Sequence, residues 1–295
     1  MIHKADWKRK IFILCNTLFL TLVTLISIFP IVHLLAVSLS SNVAANAGVV
    51  KMIPVGFTLE AYKFLMEKSD FLIAFGISLK RVALGTTINM VMVILTAYPL
   101  SKEKSAFKAR TFYVWFFAFT MFFGGGLVPA YIVIQRTGLM NTLWALVIPG
   151  ALNVWNMVML LNFFRGIPKE LEEAAIVDGA NHFTILWKIY LPVSKPALAT
   201  ILLFTIVGHW NAWFDGMIYM NSPASYPLQT YLYTLVTQNF NKKLLTMDDI
   251  ERLKNVSEKT LQIAQIFLGA LPIMLVYPFL QKYFIKGIVV GSVKE

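Results

Sequence analysis

Apolar residues run through this chain in long blocks, not in the alternating or striped patterns of soluble elements. Six blocks, at about 11–38, 82–100, 111–134, 143–164, 197–218 and 261–284, carry almost no charge. A helix needs about 20 such residues to cross the hydrocarbon of a bilayer, where backbone N–H and C=O groups must bond within the helix for lack of water. The pattern predicts an all-α, polytopic membrane protein with six transmembrane helices. A shorter apolar stretch, 71–79, ends at Lys80-Arg81 and reads as an interfacial or outward helix leading into the second span.

The first block imitates a signal peptide, with Lys4, Lys8, Arg9 and Lys10 before it and Ala45-Asn46-Ala47 after it. It has no charged residue from Ile11 through Val50 and is densely apolar to Leu39. That far exceeds the roughly 7–15 residues of a signal core, so it reads as a retained span. Breakers punctuate the other blocks at Pro129, Pro149-Gly150, Pro272 and Pro278. Gly124-Gly125-Gly126 weakens helix by about 1 kcal/mol per residue relative to Ala and predicts a bend or a tight crossing.

An even number of spans puts both termini on one side, and basic residues choose it. Lys and Arg number four in 1–10, four in 101–110, four in 165–196 and three in 281–295. By the positive-inside tendency those segments are cytoplasmic, giving an N-in, C-in topology. The outward segments are 39–81, 135–142 and 219–260, and the last, with its mixed-charge run from Lys242 to Lys259, predicts a surface for an external partner.

Composition agrees: 58% of the 295 residues are hydrophobic, 14% are charged, and mean hydropathy is +0.68. Ordinary soluble domains are about 25% charged. The net charge of +11 sits in short connectors beside apolar blocks, not on a basic face, which argues against nucleic acid. Cys15 is the single cysteine, so no intrachain disulfide forms and no thiol-rich metal site can be assembled.

One polar island stands out. Ile167 to Val177 begins with a proline suited to a first turn, places Glu170, Glu172 and Glu173 near the positive end of a helix dipole, and continues in helix formers. Asp178-Gly179 breaks it, and Asn181 caps a second helix carrying Phe183, Ile185, Leu186, Trp187 and Ile189 until Pro192 stops it. The expected product is a helix-turn-helix on the cytoplasmic face over 167–192, with small Ala174 and Ala175 admitting a partner closely. The bland alternative is a plain connector, yet 32 residues with two helices is long for that role.

Chemistry of its own is hard to find here. The chain has no G-x-x-x-x-G-K-[ST] loop, no H-E-x-x-H and no G-x-S-x-G, and its four histidines are dispersed. Two stretches join aromatic rings to amides or acids, side chains able to line a path for a polar solute: Asn153, Trp155 and Asn156 in the fourth block, and His209, Trp210, Asn211, Trp213 and Asp215 near the outer end of the fifth. Interfacial anchoring and helix-to-helix hydrogen bonding are the competing readings of both stretches.

Glu173-Ala174-Ala175, three residues, Gly179, nine residues, then Ile189-x-Leu191-Pro192 resembles the coupling loop of ABC-importer permeases. Nearly the whole chain is similar to a permease subunit of a binding-protein-dependent ABC sugar importer of the maltose type. Phe122 to Tyr131 and Gly138 to Thr142 also resemble the branch serving longer oligosaccharides and polysaccharide fragments.

The resemblance implies one transmembrane permease domain over 1–295, with core helices at about 82–284, in the cytoplasmic membrane of a bacterium. It implies a second permease, here expected to be a different chain, two ATPase subunits, an extracytoplasmic substrate-binding protein and an oligosaccharide substrate. ATP and Mg would bind the ATPases, with no cofactor on this chain. Glu173, Ala174, Ala175, Asp178, Gly179, Ala180, Ile189, Leu191 and Pro192 would meet the ATPase. Two alternatives stay open: import of another solute, and a role in cell-envelope glycan assembly.

Overall fold

The computed structural model describes residues 7–67, 69–237 and 258–292. In chain order the helices are α1 (Trp7–Ser38), α2 (Asn42–Asn46), α3 (Glu60–Glu67), α4 (Ser69–Ser101), α5 (Arg110–Phe122), α6 (Leu127–Arg136) and α7 (Leu143–Val147). They continue as α8 (Val154–Arg165), α9 (Lys169–Val177), α10 (His182–Val193), α11 (Lys195–Asn211), α12 (Phe214–Tyr219), α13 (Leu228–Thr237) and α14 (Glu258–Ser292). Among the described residues there is no strand.

Among the described residues, three helices are long and apolar enough to cross a membrane unbroken: α1, α4 and Lys259–Phe279 of α14. Three bent pairs bring the number up to six: α5 with α6 at 114°, Leu143–Gly150 with α8 at 43°, and α10 with α11 at 82°. The bend expected at the triple glycine is there, and Gly126 begins α6 with φ 84°. Most of α1 is exposed, the pattern of a helix whose surroundings are lipid or a partner helix.

The chain falls into two compact units. The first holds residues 1–69 and 234–270. Within it Ala36 and Val37 pack with Ala44, Ala45 and Val50, and Phe64 and Leu65 of α3 pack on Leu261 and Ala264 of α14. A 2.7 Å hydrogen bond between Ser38 Oγ and Tyr62 Oη ties α1 to α3.

The second unit, 70–233 with 271–295, is organised by α4. The buried residues Phe71, Ala74, Ser78, Arg81, Gly85, Asn89, Val93, Ala97 and Leu100 recur at intervals of three and four along one face. The stripe corrects one expectation: 71–79 is no separate interfacial helix but the first turns of a continuous α4. Arg81 is 2% exposed, so it lies on the packed face and does not end the helix at an interface.

At the cytoplasmic end by the charge assignment, α4, α8, α10 and α11 share one core of Val93, Tyr98, Leu160, Phe164, Leu186 and Ile201, among others. Because α10 is part of that core, the polar island is fastened to the spans by packing and not only by the chain.

Candidate functional site

The island folds as two helices around a tight turn. The N–H of Gly179 bonds the carbonyl of Ile176 at 3.0 Å, and the N–H of Ala180 bonds that of Ala175 at 2.9 Å. This is a Schellman closure, in which the residue after the C-cap must be left-handed. Gly179, with φ 78°, supplies that conformation. Asn181 Oδ1 then accepts from the N–H of Thr184 at 2.8 Å and starts α10. Helix α10 ends at Val193, one residue past the expected stop at Pro192. Its Leu186–Tyr190 stretch widens into a π turn, and the helix continues to Val193. A wider turn relieves the clash between a proline ring and the carbonyl four residues back.

The two helices sort their residues by depth. Ile185, Leu186 and Tyr190 are buried, and Ala175, Ala180, Ile189 and Leu191 pack against the same core. Glu173, Ala174, Asp178, Gly179 and Pro192 are exposed. Around the turn stand Val177, Phe183 and Trp187, exposed by 87%, 68% and 66%. Large apolar side chains left bare beside a rigid turn mark a surface that another molecule covers.

The inward face of α9 carries a group that sequence reading treated only as a dipole partner. Glu172 Oε1 accepts from Lys102 Nζ at 2.7 Å, and its Oε2 accepts from Tyr190 Oη at 2.6 Å. Lys102 Nζ lies 4.0 Å and 4.1 Å from the ring centres of Tyr98 and Tyr190. Burial pushes the Glu172 carboxyl up, but the bonds from Lys102 and Tyr190 outweigh it and hold the group below the usual carboxylate range. Burial lowers the Lys102 ammonium, with Glu172 opposing. The available signal was helical phase: Glu172 is three residues from the inward Ala175, whereas Glu173 faces out. Lys169 also pairs with Glu103, but both are exposed, and such pairs contribute little.

Two clefts flank this group. One of about 470 Å³ is lined by Ser101, Arg110, Arg165, Lys169 and Glu173, and the other, of about 330 Å³, by Leu95, Phe107, His182 and Phe183. Arg110 Nε donates to the Leu100 carbonyl at 2.9 Å, satisfying an acceptor in the last turn of α4.

The residues proposed for a solute path divide differently. Asn156 is buried and donates to Thr205 Oγ1 at 3.3 Å, a hydroxyl that lies 3.2 Å from Asn89 Oδ1. Asn89 Nδ2 in turn donates to the carbonyls of Gly150 and Ala151, each at 3.2 Å, so this network joins α4, α8 and α11. Trp210 is buried, edge-on to Phe75 at 5.7 Å, and Trp213 stacks on Tyr233 at 4.0 Å. Asn153 caps α8 by accepting from the N–H of Asn156 at 3.0 Å. Trp155 and Asn211 are exposed.

Asp215 is the counter-ion of the buried Arg81, whose Nη1 also donates to the Ala212 carbonyl at 3.2 Å. Ala212 is extended, with φ −70° and ψ 123°, so the fifth block is broken there between α11 and α12. His209 stands against Gly85: a Cβ on Gly85 would lie 2.5 Å from the imidazole. Gly85→Ala is therefore expected to cost about 1–3 kcal/mol by overpacking. In a His209→Ala background most of that cost should vanish. Equal costs in both backgrounds, measured by unfolding of the solubilised protein, would show that His209 is not the obstacle. Much of the outward segment 219–260, including most of the run from Lys242 to Lys259, lies outside the described residues.

Comparison with known proteins bears on this geometry. The profile of the family described as binding-protein-dependent transport system inner membrane component matches residues 9–290. Protein LplC of Bacillus subtilis is 37% identical over 287 residues, covering 97% of this chain and 95% of that one. The polygalacturonan/rhamnogalacturonan transport system permease protein YtcP of the same organism is 34% identical over 290 residues, 97% of this chain and 99% of that one. Among solved structures, a chain of a bacterial ABC transporter involved in the import of the acidic polysaccharide alginate superposes with TM-score 0.87 at 31% identity, over 95% of this chain and 98% of that one.

Proposed function

Because this chain belongs to the family of binding-protein-dependent transport system inner membrane components, we propose that it lines the translocation path for an oligosaccharide and passes to that path the motion of a separate ATPase. The observation that carries the reading is the bare apolar rim of Val177, Phe183 and Trp187 around the Gly179 turn, on helices anchored to the spans. A nucleotide-driven subunit closing on that rim would push α10 and, through the shared core, α4 and α8.

In this reading Glu173 and Asp178 supply the charged contacts, Ala174 and Ala175 permit close approach, Gly179 sets the turn, and Ala180, Ile189, Leu191 and Pro192 hold the second helix. The partners are two ATPase subunits, which bind ATP and Mg, a second permease of different sequence and an extracytoplasmic binding protein. The chain itself hydrolyses nothing and carries no cofactor. Its place is a bacterial cytoplasmic membrane, crossed six times with both termini inside. A sugar polymer as substrate is supported by the named cargoes of YtcP and of the alginate importer. Trp155 and Asn211 are the best placed of the candidate residues to meet it, since both are exposed, whereas the likewise exposed Asn153 is used to cap α8.

The test is ATP hydrolysis by the co-expressed complex in liposomes, with binding protein loaded in turn with neutral oligosaccharides, uronate oligosaccharides, amino acids and phosphate. Stimulation by about fivefold or more with one sugar class alone is expected, the lower end of ordinary allosteric coupling. Stimulation by amino acid or phosphate alone would replace the sugar reading, and failure of any ATPase to copurify would end the coupling reading.

A further inference from the structure

The group formed by Lys102, Glu172, Tyr98 and Tyr190 lies behind the docking rim and is not explained by docking itself. Its side chains come from three places: Tyr98 from α4 and Lys102 from just beyond it, Glu172 from α9, and Tyr190 from the π turn of α10. The ammonium sits between two tyrosine rings and against a carboxylate, and the carboxylate is held a second time by the Tyr190 hydroxyl. Phe164 of α8 packs edge-on to Tyr190 at 5.3 Å and to Tyr98 at 6.5 Å. The side chains of Lys102 and Glu172 are only 10% and 18% exposed.

A buried charge cluster is a weak device for stability, because desolvating both ions offsets most of their attraction. It is a strong device for geometry, because separating the ions strands a desolvated charge on each side. Helix α9 has no fully buried residue, and Ala175 is its side chain packed against the core. Without the ion cluster, α9 would be joined to the spans by that small contact, by the exposed Lys169–Glu103 pair, which contributes little, and by its chain ends.

We propose that Lys102 is a positioning residue that clasps α9 to the end of α4, so that displacement of the docking turn is delivered to the membrane spans instead of being absorbed by rotation of α9. The clasp rests on the coupling reading above and goes beyond it by naming the joint. Lys102 is on a different connector from the docking turn and serves no contact with the ATPase in that reading.

The experiment reconstitutes the complete transporter, with its ATPases and binding protein, and measures ATP hydrolysis and oligosaccharide uptake together. Lys102→Met is expected to leave copurification of the ATPase intact and to lower uptake per ATP about tenfold or more, within the range of a lost coupling interaction. Lys102→Arg keeps a cation that can stack on the rings and pair with Glu172, and should stay within about threefold of wild type, a modest loss expected because the two cations differ in shape. A merely structural lysine would instead lower hydrolysis and uptake in proportion.

Should Lys102→Met fail to assemble, Tyr190→Phe carries the same test, since it removes only the hydroxyl that holds Glu172. Unchanged uptake per ATP in a variant that assembles overturns the clasp while leaving the importer reading in place. Absence of ATP-dependent uptake by the wild-type complex overturns both.

Discussion

Asp215→Ala is expected to destabilise the second unit by about 2–3 kcal/mol, below the roughly 3–5 kcal/mol of a fully buried pair because the Asp215 side chain is 28% exposed. Arg81 is 2% exposed and bonds both carboxylate oxygens of Asp215, so the truncation leaves a desolvated guanidinium with, among the described residues, the Ala212 carbonyl as its remaining acceptor. The damage should concentrate at the α11–α12 break, because that carbonyl and the carboxylate flank it. Replacing both ions, Arg81→Met with Asp215→Leu, should recover most of the loss, since no charge is then stranded.

Denaturant or thermal unfolding of the solubilised protein, as a double-mutant cycle, gives the answer. Two single losses that simply add would mean that the ions do not depend on each other. The same result bears on the proposed solute path: an Asp215 committed to Arg81 is a structural acid and not a contact for a solute.

The second large effect is expected at the docking turn. Gly179→Val should lower ATP-driven uptake about 5–30-fold, while the neighbouring Gly179→Asn stays within a few-fold of wild type. Left-handed backbone costs about 1–2 kcal/mol for a residue with a Cβ, and asparagine is among the few that adopt it readily. A Cβ at this position meets nothing within 4 Å among the described residues, so a loss seen with valine and not with asparagine points to the backbone turn, with φ 78°. Transport assays of both variants, with ATPase copurification as the control, separate the possible causes. Equal failure of valine and asparagine would move the cause from the turn to the closeness of the partner, and equal success would remove Gly179 from the coupling mechanism.

Much of this molecule is written in local sequence. The apolar blocks, the bend at Gly124 to Gly126, the left-handed Gly179 and the Asn181 cap each depend on residues a few positions apart, so periodicity and turn chemistry suffice to find them. The spacing from Glu173 to Pro192 likewise points to the family, because that motif is a contiguous segment whose pattern is legible without knowledge of its surroundings.

Pairings across long separations were decided only by tertiary structure. Lys80-Arg81 reads as a boundary until Asp215, 134 positions later, neutralises the buried guanidinium and lets α4 run on. Glu172 and Glu173 are indistinguishable by composition, and helical phase alone does not tell that the Lys102 ammonium and the Tyr190 hydroxyl wait on the inner side. Lys102 counts toward topology in the sequence and becomes a clasp only when Tyr98, Glu172 and Tyr190 close around it. Sequence determines where a helix forms and where it breaks, through backbone conformation and hydrophobicity. Whether a charge on that helix meets water, lipid or a counter-ion depends on what packs against it, and that is a property of the fold.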